Sequence, residues 1–202
     1  MIKYHNVDKR IKVKLADLVD EPVVIRVNKF NEESSEKFAE QMSKAHETGQ
    51  TIIPVVIDSY GGQVYSLLSM IADIQSAKLP VATIIESKAM SAGAILFSFG
   101  TDGHRYMAPN ATLMIHEVSS FSFGKVEDLK VDAEETDRLN DLIFKLMAKN
   151  CGKPPEYFLD IIHQIGHTDW FLVPKEAKKH NLVNHIKVPE MKVTISVDTV
   201  FG

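Results

Sequence analysis

Apolar residues cluster in two ways along this chain. Four short runs, "PVVIRV" (22–27), "TIIPVVID" (51–58), "LPVATII" (79–85) and "ATLMIHE" (111–117), are β-branched and nearly continuously apolar, as strands covered on both faces are. Between them the spacing changes to that of helices. Residues 34–49 place Phe38, Met42 and Ala45 on one stripe and end at Gly49. Residues 65–77 repeat Leu67, Met70, Ile71 and Ile74, again one face of a helix. "SAGAILFSFG" (91–100) is apolar all round and predicts a buried helix. The second half reads as helical. Residues 126–149 carry Leu139, Leu142, Ile143 and Leu146 on one face, with acidic residues early, where the helix dipole favours them. "PPEYFLDIIHQIG" (154–166) opens with prolines suited to a first turn, and "VPKEAKKHNLV" (173–183) predicts a short last helix. A short strand at 11–15 and a tail, "KVTISVDTVFG" (192–202), complete the pattern; the tail reads as an edge strand or a partner-contact arm. Strand alternating with helix predicts an α/β fold with a mostly parallel sheet flanked by helices. No repeat, low-complexity segment or linker interrupts residues 1–202, so one domain is expected.

Composition narrows the function classes. With 202 residues, 45% hydrophobic and 25% charged, the chain is globular rather than disordered. A formal net charge of -4 offers no general attraction to phosphate backbones, so nucleic acid is not an expected partner. The single cysteine, Cys151, allows no internal disulfide and no cysteine-based metal cluster, and fits a reducing compartment. No secretory leader is apparent, and no apolar run approaches the roughly 20 residues that span a bilayer. The expected location is the cytoplasm, away from membranes.

Two glycine-containing turns follow buried strands, "DSYGGQV" (58–64) and "KAMSAGA" (88–94). In an α/β sheet ligands gather at the carboxyl ends of the strands, where both turns fall. Ser91 stands among Ala89, Ala92, Gly93 and Ala94 at the start of the apolar helix. It reads either as a helix cap or as a nucleophile at a helix tip. The helix N-terminus and the Cβ-free backbone of Gly61-Gly62 would present N–H groups to an oxyanion, although glycine pairs are common in turns generally. A serine nucleophile needs a base, and eight histidines compete for the role. His116 closes a strand and would project into the same cleft. His163 and His167, four apart, read as half a metal site, but without an HExxH pattern exposed polar residues are the preferred reading, and no metal or cofactor is expected. Spacing alone selects neither the base nor the acid.

The ordered set of motifs goes further. Ser59-Tyr60-Gly61-Gly62, Ser91-Ala92-Gly93-Ala94, Arg105, Pro109-Asn110 and Met114-Ile115-His116, followed by "HTDWFLVPKEAKKHNLVNHI" (167–186), resemble the proteolytic subunit of the Clp protease (ClpP) family over roughly residues 22–188. That resemblance implies a ClpP/crotonase-like fold with a long protruding helix. It implies a serine endopeptidase in which Ser91 attacks, His116 takes its proton, Asp169 orients His116, and the backbone N–H groups of Gly62 and Ala92 hold the oxyanion. Tyr60 and Gly61 would border the bound polypeptide, which adds as a strand. Relatives stack two heptameric rings, with active sites inside, and are fed by an ATP-driven (AAA+) unfoldase. Residues 126–149 and "VSSFSFGKVED" (118–128), with Phe121 and Phe123, fall where relatives make ring-to-ring contact.

Several positions depart from the family's pattern. Tyr60 replaces a proline, freeing φ at the cleft rim. Glu117-Val118 replaces Gln-Pro, adding a carboxylate that would face His116 or a neighbouring subunit's cation. Val173 replaces a hydroxyl residue, removing a helix cap worth about 1 kcal/mol. The N-terminal arm (1–20) lacks an apolar axial-loop stretch, and the extension 189–202 is unlike relatives. Two rival readings stand beside the peptidase: a catalytically silent ring subunit, and an acyl-CoA enzyme of the crotonase type, which would not need the Ser-His-Asp set.

Overall fold

The computed structural model of the protein describes residues 21–120 and 122–192. The N-terminal arm (1–20) with the strand expected at 11–15, Phe121 and the tail beyond residue 192 lie outside them. Among the described residues thirteen elements follow one another: β1 (Ile25–Val27), α1 (Glu32–Glu47), β2 (Ile53–Ser59), α2 (Val64–Ser76), β3 (Val81–Met90), α3 (Ala92–Ser98), β4 (Arg105–Met107), β5 (Thr112–Ile115), α4 (Val126–Asn150), α5 (Tyr157–Gln164), β6 (Trp170–Leu172), α6 (Pro174–Lys179) and β7 (His185–Ile186).

The sheet runs in the order β1-β2-β3-β4-β7, all parallel. Its central strand, β3, is the longest and has two neighbours on one side. Thr83, Ile84 and Ile85 pair with Arg105, Tyr106 and Met107 of β4. Lys88, Ala89 and Met90 then pair with Thr112, Leu113 and Met114 of β5. This second pairing explains why β3 continues past the expected end at residue 85, through the polar "ESK". Backbone hydrogen bonds to β5 hold it, where side-chain alternation gives no signal. Among the described residues β6 is the one antiparallel strand of the sheet, pairing with β5.

Helix limits follow local chemistry. α1 begins at Glu32, two residues before the expected start, because Asn31 caps it: the Asn31 side chain accepts from the Ser34 N–H and Ser34 Oγ accepts from the Asn31 N–H, each at 2.9 Å. Ser34 is therefore the third helical residue. α5 begins at Tyr157 rather than at the prolines, which form a turn in which the Tyr157 N–H donates to the Pro154 carbonyl at 3.0 Å. All seven residues of α3 are buried, as its uninterrupted apolar pattern requires. One core cluster extends from Val23 to Val183 and includes α3, α5 and the ends of β5 and β6.

Two features anchor the frame. Arg105 is fully buried, with its guanidinium donating to the carbonyls of Gly100, Leu182 and Asn181 at 3.0–3.1 Å. It thereby ties the end of α3 to the chain after α6, each guanidinium nitrogen being met by an oxygen. α4 is 25 residues long, about 37 Å at 1.5 Å per residue. Its buried positions begin only at Leu139, so its first half projects from the body.

Candidate active site

β3 ends at Met90, and the next residue turns the chain abruptly. Ser91 has φ 53° and ψ -124°, a conformation that costs a non-glycine residue about 1–3 kcal/mol. Three hydrogen bonds hold it there: its N–H donates to the Met114 carbonyl at 2.9 Å, and its own carbonyl accepts from Ala94 and Ile95 at 2.9 and 3.1 Å. This strained strand-to-helix corner pushes a serine hydroxyl out of the sheet plane. The hydroxyl makes no capping hydrogen bond to α3. The simplest alternative role for this serine is therefore unused.

Beside it, β2 ends in the Gly61-Gly62 turn. A Cβ on Gly61 would lie 2.7 Å from the Ser91 Cβ, and one on Gly62 would lie 2.5 Å from the Phe30 carbonyl. Their φ angles, 109° and 154°, also exclude ordinary side chains. The two glycines thus let a backbone segment pass directly against the serine. Ser59 fixes the approach: its Oγ donates to the Asn28 carbonyl at 2.9 Å and accepts from the Gly61 N–H at 3.1 Å. The Gly62 and Ala92 N–H groups, by contrast, have no backbone acceptor among the described residues.

Strand register places the remaining two groups. In the antiparallel pair β5–β6, Leu113 faces Leu172, Met114 faces Phe171 and Ile115 faces Trp170. The next step of that ladder sets His116 opposite Asp169. His116 Nδ1 lies 3.9 Å from Asp169 Oδ1, inside ion-pair range but beyond a hydrogen bond. The Asp169 side chain is 54% exposed and that of His116 25%, so the pair sits at an open edge. Asp169 immediately precedes β6 and caps no helix. A cleft of about 50 Å³ is lined by Gly62, Ser91, Ala92 and His116, with Val64, Leu67, Ile95 and Ile143 supplying apolar wall. A wider groove of about 700 Å³ runs between α4 and the loop that precedes α5, lined by Leu142, Leu146 and three lysines. It holds no nucleophile or histidine.

Tyr60 is 75% exposed at the turn's outer side. Lys88 Nζ sits 4.5 Å from its ring centroid while pairing with Asp58 at 2.6 Å, a cation–π contact that steadies the ring. Tyr60 stands outside the cleft lining, whereas Gly61 touches Ser91 from behind. Glu117 borders the same cleft as His116, and its carboxylate is engaged within this chain: it accepts from His167 Nδ1 at 2.7 Å and from Asn140 at 3.4 Å. Sequence spacing gave no sign of that contact, which depends on the turn after α5. Cys151 is fully buried, and burial pushes its thiol up to about 11, so thiolate chemistry is not available to it at neutral pH.

Comparison with known proteins agrees with this architecture. The Clp protease family model matches residues 6–190. The "ATP-dependent Clp protease proteolytic subunit" of Deinococcus radiodurans is 34% identical over 134 residues. That alignment covers 66% of this chain and 64% of the relative, a little under two thirds of its length. With the family's model matching most of the chain and the strand–turn–helix frame around Ser91 in place, this protein belongs to the Clp protease family.

Proposed function

We propose that the protein is a serine endopeptidase that hydrolyses peptide bonds of unfolded chains or peptides with Ser91, His116 and Asp169. Ser91 Oγ attacks the scissile carbonyl while His116 Nε2 takes its proton. Asp169, facing Nδ1, keeps the imidazole in the required tautomer and stabilises the imidazolium. The carbonyl oxygen becomes an oxyanion, which the N–H groups of Gly62 and Ala92 stabilise. His116 returns the proton to the leaving amine, and water then repeats the cycle on the acyl-enzyme. The observation that supports this reading is that Ser91 and His116 line the same cleft, while the β5–β6 register leaves Asp169 3.9 Å from His116. Catalysis requires the 3.9 Å gap between His116 and Asp169 to close by about 1 Å, as catalytic hydrogen bonds tighten on substrate binding.

The working form is proposed to be a closed homo-oligomer of two stacked heptameric rings in the cytoplasm, served by an ATP-driven unfoldase. The relative's printed name describes a subunit of an ATP-dependent protease. Support within this chain comes from the projecting half of α4, which leaves Val126 and Val131 largely exposed, next to an almost fully exposed Phe123. Tyr60, at the rim, is proposed to bias which side chain precedes the cleaved bond. No described helix is long and apolar enough to cross a membrane. The single-domain reading is supported by the continuous core.

A fluorophosphonate probe tests the assignment. Labelling of the native protein that disappears in Ser91→Ala and falls at least a hundredfold in rate in His116→Ala is expected. No labelling of a properly assembled native oligomer would instead favour a silent ring subunit.

A further inference from the structure

A second cluster lies one residue beyond the proposed catalytic histidine. Glu117 leaves the end of β5, His163 occupies the last turn of α5, and His167 follows that helix. The helix ends in a reverse turn in which the Gly166 N–H donates to the His163 carbonyl at 3.0 Å and the His167 N–H to the Ile162 carbonyl at 2.9 Å. This turn holds His167 at φ 59°, an uncommon conformation for a non-glycine residue. It folds the His167 ring back over that of His163, with centroids 4.6 Å apart. The Glu117 carboxylate lies between them: Oε2 is 2.7 Å from His167 Nδ1 and Oε1 is 3.8 Å from His163 Nε2. Asn140, from α4, clips the carboxylate in place. Its amide donates to Glu117 Oε1 at 3.4 Å and its oxygen accepts from the Val118 N–H at 3.0 Å.

We propose that Glu117, His163 and His167 form a binding site for a divalent transition ion of the zinc type, with a water completing the coordination. One ligand atom from each residue already lies within 4.8 Å of the others. Tetrahedral zinc with nitrogen and oxygen ligands at 2.0–2.1 Å sets those atoms about 3.3 Å apart. The Glu117–His163 spacing of 3.8 Å needs only a small rotation of an exposed side chain to meet that. Two imidazoles and a carboxylate suit zinc, copper or nickel rather than calcium or magnesium. Asn140 is a positioning residue that orients the carboxylate, the part played by outer partners in metal sites generally. The ion would add a cross-link between the end of β5 and the α5–β6 turn, just beyond the β5–β6 ladder. The site does not depend on the peptidase reading, because none of its three ligands belongs to the proposed triad.

The test is a zinc titration of chelator-stripped full-length protein against a chromophoric zinc indicator, with melting temperature recorded alongside. Native protein should take up one zinc per chain and melt higher with it. Affinity should fall at least tenfold in both His163→Ala and His167→Ala, and melting of those variants should no longer respond to zinc. His116→Ala, Ser91→Ala and His185→Ala should bind as the native protein does. Failure of stoichiometric uptake, uptake unchanged in both His163→Ala and His167→Ala, or loss of uptake in His116→Ala would each overturn the proposal. The last result would mean that the ion sits on the catalytic histidine instead.

Discussion

Ser91 carries a conformational cost that its neighbours are arranged to hold. Its positive φ is retained by three backbone hydrogen bonds, and the adjacent turn needs glycine at Gly61 because any Cβ there would strike the serine. Replacing Ser91 with alanine removes the hydroxyl and leaves the strain; replacing it with glycine removes both. Ser91→Gly should therefore melt at a higher temperature than Ser91→Ala, by an amount corresponding to about 1 kcal/mol, while both lack probe labelling. Equal melting temperatures would show that the corner is not strained. The same residue shows what sequence makes legible. Small residues around a serine at the head of an apolar helix marked the corner. Whether the hydroxyl caps that helix depends on a single torsion angle, which no residue pattern encodes.

Among the elements, the long apolar strands and the strongly periodic helices were readable because each carries several turns or pleats of repeated signal. β4 and β6, three residues each, and β7, two residues, were not anticipated. They are too short to show alternation and exist because a longer neighbour supplies their hydrogen bonds. β6 matters most, since its register sets Asp169 opposite His116. Its position came from resemblance to a family rather than from any periodicity. α6 shows the reverse case. Val173 occupies its cap position with extended backbone and no side-chain cap bond, ahead of Pro174 in the first turn, as the substitution at that position led one to expect. Val173→Thr should stabilise the fold by about 1 kcal/mol in denaturant unfolding, because Val173 is 58% exposed and loses little burial. A neutral or destabilising result would mean that the Val173 methyl groups are covered in the assembled protein.

For the whole molecule, the ends of β2, β3 and β5 border one cleft, and the first half of α4 projects from the body, its buried positions beginning at Leu139. That projection exposes apolar surface which a lone chain has no reason to keep. Val126 is 67% exposed, Val131 63% and Phe123 97%. Converting Leu129 and Val131 together to aspartate should lower the assembled mass measured by light scattering and leave the melting of the individual chain nearly unchanged. Unaltered mass would place the subunit contacts elsewhere. Peptide hydrolysis as proposed needs hydroxyl, imidazole, carboxylate and two N–H groups to act on one carbonyl. The most direct measurement is a crystal structure of the protein after reaction with a peptidyl fluorophosphonate. It should show phosphorus bonded to Ser91 Oγ and a phosphoryl oxygen at about 2.7–3.1 Å from both the Gly62 and Ala92 nitrogens, with His116 hydrogen-bonded to Asp169. An adduct on any other residue, or an oxygen turned away from those two nitrogens, would contradict it.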